Sequence, residues 1–301
     1  MQTGRTFAAY RYFLVPLEQL SLFDTAEEQR RDSIAKFFSR IEAEKKVSFE
    51  IGDRKHIFAF ERKVDKRTVI LKFAVEKYET KYKESDTGID SVIESNLPYV
   101  YLIFDIRRQL LLAEINTSVF RELSQEKEKI QKCFELQFMP YGFEVIFEEI
   151  IDENTFWSYV EKASSVHDVT IVLNSPNLFQ GFLEIGKTLK NIRYLYNNTQ
   201  TTLSVTNRNA PLTGISKENP ELASAVKYSS GGGGEWKLTV KTGGKRRTFR
   251  SKNNVKKVNL IPISELPIQE STKELDAEVI KSLNMVDTIL PQKIDNEEKD
   301  F

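Results

Sequence analysis

Every long apolar run in this sequence has the length of a β-strand, and that limits the fold more than any other feature. The clearest runs are 6–15 (TFAAYRYFLV), 99–106 (YVYLIFDI), 109–116 (QLLLAEIN) and 143–150 (FEVIFEEI). Each mixes aromatic and β-branched residues, as strand interiors do. None approaches the roughly 18 apolar residues that a membrane-spanning helix needs. The start of the chain lacks the uninterrupted apolar stretch of a signal peptide, and one cysteine, Cys133, cannot form an internal disulfide. The expected location is therefore cytoplasmic.

Helical periodicity separates these strands. Thr25 with Glu28 reads as a capping box, and Ile34, Phe37, Phe38 and Ile41 recur on one face of a helix over 25–46. Strands are expected at 47–51, 56–62 and 67–77, with turns at Gly52-Asp53 and Asp65-Lys66. Residues 79–97 are polar and carry Gly88, so they read as a loop with a short helix near 90–95. A hairpin turning at Arg107-Arg108 follows, then a helix capped by Thr117 and running to Phe134.

A second series begins near Met139-Pro140: strand 143–150, helix 153–163, strand 168–173, helix 181–196 and strand 201–206. The last three form a β-α-β pattern that sets two strands side by side in one sheet. A short helix is expected over 218–226. The fold class is α+β, with two mixed antiparallel sheet–helix units. The expected division is residues 1–138, residues 139–264 with a basic hairpin, and an acidic, largely disordered tail at 265–301, with a helix around 273–285.

The net charge is zero, but its distribution is uneven. Residues 227–257 hold ten Lys/Arg and one acid, Glu235, whereas 265–300 hold ten acids and four lysines. Within the basic block, Gly243-Gly244 joins two alternating runs, EWKLTVKT and KRRTFRS, a strong hairpin signal. Alternation puts Trp236, Leu238 and Val240 on one face with Phe249, and Lys237, Lys241, Arg246 and Arg250 on the other. Lys245 and Arg247 fall at the tip, and Lys252, Lys256 and Lys257 extend the field. Strand 255–263 offers a third strand. Dense cations on a two-stranded ribbon suit a major groove and neutralise phosphates without reading sequence. These nine residues are the candidate nucleic-acid contacts, DNA being the expected ligand ahead of RNA. The acidic tail is a candidate occupant of the same groove in the free protein.

Other chemistry is poorly supported. Gly231–Gly234 lack the Gly-Lys-Ser/Thr of a P-loop and lead into a strand, so they read as a hinge or a tight turn. Glu235-Trp236-Lys237 matches half of a restriction-type nuclease site, but no Asp lies between Asp168 and Asp276 to complete a metal pair. His56 and His167 read as structural or surface residues, and 148–153 as a strand end followed by the acidic first turn of a helix. No catalytic residue, metal site or cofactor is assigned.

The order of elements, from FAAYRYF through VSFEIGDRKHIFAF, YVYLIFDIRRQLLLAEIN and FEVIFEEI to VTIVLNSPNLF and TTLSVTN, resembles the lambda-type Rex exclusion protein A family. More loosely, it resembles the DNA-binding subunit of Kiwa anti-phage systems. It is also similar to an uncharacterised bacterial family sharing a GGGGEWKL-like stretch with a basic hairpin. The resemblance implies phage defence, dimerisation and sequence-independent binding of duplex DNA, without catalysis. A homo-oligomer or a defence-system partner protein is the implied assembly. The competing expectations are an effector nuclease with an unusual acidic site and an adaptor docking an acidic protein.

Overall fold

A computed structural model describes residues 4–17, 25–85, 88–174, 184–260 and 271–287. In chain order the elements are strand β1 (Arg5–Pro16), helix α1 (Thr25–Glu44), and strands β2 (Lys46–Ile51), β3 (Arg54–Lys63), β4 (Thr68–Val75), β5 (Lys77–Ser85), β6 (Gly88–Asn96), β7 (Tyr99–Asp105) and β8 (Leu110–Glu114). Helix α2 (Leu123–Phe138), strand β9 (Phe143–Glu149), helix α3 (Glu153–Glu161), strand β10 (Ser165–Asn174), helix α4 (Glu184–Tyr196) and strand β11 (Gln200–Thr206) come next. Helix α5 (Pro220–Tyr228), strands β12 (Gly234–Thr242), β13 (Lys245–Arg250) and β14 (Lys257–Leu260), and helix α6 (Ser271–Val286) complete the series. The protein is α+β, and its strand pairs are antiparallel.

Strand β1 organises the molecule. Its Phe7–Arg11 stretch pairs with β8, which opens the series β8-β7-β4-β3-β2. On its other edge β14 pairs with Arg5–Ala8 and β9 with Tyr10–Pro16, end to end. The two meet at Ala9, whose N–H donates to Lys256 O and whose carbonyl accepts from Ile150 N. One sheet thus draws strands from both sides of residue 138. Lys257–Leu260 belongs to this sheet and is not a third strand of the basic hairpin.

Residues Phe7–Val15 of β1 are all buried, and alternation sends them to three cores. Ala8, Tyr10, Tyr12 and Leu14 face α1 and α2, packing with Phe37, Phe38, Phe134 and Phe138. Phe7 and Ala9 face α6, whose Leu275, Val279, Leu283 and Val286 line one side of that helix. Phe13 and Val15 reach into the core of the second sheet. Between these last two pairs lies Arg11, fully buried, donating to Gly231 O (2.8 Å), Arg108 O (2.7 Å) and Asp287 Oδ1 (3.0 Å). An arginine in the middle of an apolar strand gave no hint of this role.

Two local expectations change. Lys77–Ser85 and Gly88–Asn96 form a two-stranded sheet, β5–β6, rather than a loop. Helix α2 begins at Leu123, not Thr117, because Asn116 diverts the backbone: its carbonyl accepts from Val119 N and Phe120 N, and its Oδ1 from Ser118 N. Val119 and Phe120 are still buried. In the tail, 271–286 is a helix, as expected near 273–285, and it packs on the large sheet. The disorder expected of the tail's remainder, and the proline turn after Asn174, fall at 265–270, 288–301 and 175–177, outside the described residues.

Candidate nucleic-acid interface

The second sheet has the order β11-β10-β12-β13. Its inner face carries Val169, Ile171 and Leu173 from β10 and Trp236, Leu238 and Val240 from β12. Helices α3 and α5 back it with Phe156, Trp157, Leu222 and Val226. Trp236 is 1 % exposed and meets Phe156 edge to face at 5.2 Å. Phe249 on β13 stacks on Tyr159 at 3.9 Å. The hydrophobic side of the basic hairpin is thus anchored as the alternation predicted.

The turn is also as expected. Gly243 and Gly244 both have positive φ, 57° and 78°, the requirement of a tight two-residue hairpin whose twist matches its strands. The glycine run before β12 is a tight turn, not a hinge. Residues 229–233 form one wide helical turn, and Gly231–Gly234 are buried. Gly234 has φ 148°, and a Cβ there would collide with Val172 O; a Cβ on Gly232 would come within 2.6 Å of Arg11 Cβ. The glycines are needed because three chain segments cross there.

The outer face of this sheet is open. Register places Lys237 directly across from Arg250, Thr239 from Thr248, and Lys241 from Arg246. All four cations are exposed. On the other side of β12 the same face carries Thr170, across from Lys237 and beside Ser204 on β11, and two acids, Asp168 across from Thr239 and the exposed Glu235 across from Val172. His167 sits at a β-bulge in β10, with Nδ1 3.4 Å from Arg246 Nη2. Among the described residues, no carboxylate forms an ion pair with Lys237, Lys241, Arg246 or Arg250.

The other five candidates are not on this face together. Lys245 and Arg247 pair with Thr242 and Val240, so they point the opposite way at an exposed edge near the tip. Lys252 lies 3.9 Å from Glu235. Lys256 is committed elsewhere: its Nζ donates to Met285 O (2.7 Å) at the C-terminal end of α6, a position that favours a cation. Lys257 is exposed on β14 of the large sheet. Nor is the hairpin a free ribbon, since β10 flanks β12 and a core lies beneath it. Only β13 and the tip project, so the geometry is a broad face rather than a ribbon ready to enter a groove.

Glu235 and Asp168 are not placed to hold one metal ion together. Glu235 sits opposite Val172 and Asp168 opposite Thr239. Four residues along a strand separate them by about 13 Å, too far to share a metal. Among the described residues, no three His, Cys, Asp or Glu side chains are grouped to hold a metal ion. His56 is buried against Phe73, its Nδ1 3.2 Å from Arg54 O, and burial pulls its pKa down. Asp152 caps α3 by accepting from Asn154 N (2.9 Å), which accounts for the acidic run. Helix α6 sets Asp276 against Arg62 on the large sheet, so this part of the tail does not cover the basic face.

No known family model matches this chain. No curated protein matches it either. Among the described residues, no helix is long and apolar enough to cross a membrane.

Proposed function

We propose that this protein binds nucleic acid, duplex DNA in the first place, across the open face of β12 and β13, without sequence preference and without catalysis. The observation that supports this reading is the pair of like charges set directly across from one another, Lys237 with Arg250 and Lys241 with Arg246. Opposed like charges on neighbouring strands cost stability. Four cations held together on an exposed face by a rigid, buried foundation are accounted for by an anion that spans them. A phosphate backbone does so, and contacts of this kind position a duplex without reading its bases. Lys245 and Arg247, which point away from this face at the projecting edge, would add only longer-range attraction for the phosphates. The setting in bacterial anti-phage defence rests on the resemblance in element order alone.

The test is titration of the full chain with a labelled random duplex at several salt concentrations. Four phosphate contacts predict a log–log salt slope steeper than about −3 for the wild type. The Lys237/Lys241/Arg246/Arg250→Ala variant should lose most of both affinity and slope. A wild type that fails to bind at low salt refutes the reading and favours an acidic protein partner for the same face.

A further inference from the structure

Among the described residues, the hairpin β5–β6 pairs with no other strand. Its two strands are in register over their whole length, from Lys77 opposite Asn96 to Ser85 opposite Gly88. Paired residues share a face, so the ribbon has two unlike sides. One side carries Lys77, Glu79, Lys81 and Lys83 on β5 and Asp90, Val92 and Glu94 on β6; Lys81 (2.8 Å) and Lys83 both bridge to Glu94. The other side carries Tyr78, Thr80 and Tyr82 on β5 and Ile89, Ser91, Ile93 and Ser95 on β6, and ends at Glu84 near the tip. Tyr78, Tyr82, Ile89 and Ile93 are 60, 74, 76 and 71 % exposed.

A two-stranded ribbon on its own is marginally stable in water, and an uncovered apolar side calls for a cover. Three observations identify it. First, large and small residues alternate across the strands. Tyr78 faces Ser95, Ile93 faces Thr80, and Tyr82 faces Ser91, so the large member switches strand at each step. A zigzag of knobs beside gaps is self-complementary: turned about a twofold axis, the knobs of one copy seat over the gaps of another. Second, covering these four side chains with their twins would bury roughly 1,000 Å² over two copies, the lower limit for a specific interface. Third, residues 77–96 hold three lysines and five acids. The ribbon therefore repels nucleic acid, and its charged side can remain in water while the apolar side is covered.

We propose that β5–β6 is a dimerisation arm whose apolar side packs against the same side of a second copy of this chain. The interface is isologous, with Tyr82 and Ile93 at its centre. This inference is independent of the basic face: a variant of Lys237, Lys241, Arg246 and Arg250 should dimerise normally, and an arm variant should keep those four cations in place.

Sedimentation equilibrium of the full chain over about a hundredfold range of concentration tests it. The wild type should pass from monomer to dimer. The Tyr82→Ser/Ile93→Ser variant should remain monomeric. The Lys81→Ser/Lys83→Ser variant, altered only on the charged side, should dimerise as the wild type does. At the lowest concentration all three should melt at the same temperature, showing that the body is folded. A wild type that stays monomeric throughout overturns the proposal, including one whose arm floats with neutral vesicles. So does a dimer that survives the Tyr82/Ile93 substitution.

Discussion

Two of the molecule's β-hairpins, β12–β13 and β5–β6, have opposite settings. Hairpin β12–β13 rests on a core of Trp236, Leu238 and Val240 and holds cations outward; among the described residues β5–β6 contributes to no core, touches the body at its base through Lys77 and Ser118, and turns tyrosine and isoleucine outward. The same secondary structure serves different ends because of what lies beneath it. A buried foundation lets a strand tolerate opposed like charges on its other side. A ribbon without a foundation keeps its apolar residues available to another molecule.

The largest effect that would separate the two concerns stability. Trp236→Ala should cost about 3–5 kcal/mol in urea unfolding, as expected for emptying a packed aromatic site. Tyr82→Ala in the monomer should cost less than about 0.5 kcal/mol, as at an uncommitted surface position. Equal costs would show that the arm is packed on the body after all. A comparable loss is expected for Arg11→Met, about 3–5 kcal/mol, because the buried Asp287 would lose its 3.0 Å ion pair and keep Arg108 only at 3.9 Å. Thermal melting measures it.

A smaller effect sharpens the contrast in charge. Replacing Lys237, Lys241, Arg246 and Arg250 by alanine should raise the melting temperature of the free protein by a few degrees while weakening duplex binding, because two opposed like-charge pairs are removed. A fall in melting temperature would mean that these cations are structural. Lys256→Ala should do the reverse, costing about 1 kcal/mol at the end of α6 and leaving duplex affinity unchanged.

The smallest effect is on the arm's charged side. Lys81 and Lys83 hold the Glu94 carboxyl down, to about 2 from its ordinary 4.5. A depressed carboxylate contributes stability above its unfolded pKa and loses it as pH falls toward the folded one. Protection factors of the β5–β6 amides, taken against the intrinsic exchange rate at each pH, should therefore be constant above about 4.5 and fall between there and about 2, with no change in the body. Glu94→Gln should abolish that step.

The two hairpins also show how far the sequence could be read. β12–β13 was legible because a buried foundation imposes strict alternation and the Gly243-Gly244 turn marks the reversal. Those constraints place Lys237, Lys241, Arg246 and Arg250 together on one face. Where the chain leaves the sheet, alternation stops being informative, and Lys252, Lys256 and Lys257 scatter. β5–β6 was illegible because a ribbon with no core carries no buried pattern, and its many polar residues resemble a loop. Non-local pairing left no local trace either: β9 and β14 look like parts of the second series, yet both complete the edge of β1. The buried Arg11 could not be found from sequence, since its partners lie 97, 220 and 276 residues away.

That last separation has a consequence for biosynthesis. The carboxylate that neutralises Arg11 leaves the ribosome 276 residues after it, roughly 15–55 s at ordinary elongation rates. For most of that interval β1 lacks β14 along part of one edge, and to its end the central cation lacks this counter-charge. The nascent chain must wait with its organising strand unfinished, and a chaperone would have most to shield until α6 has emerged.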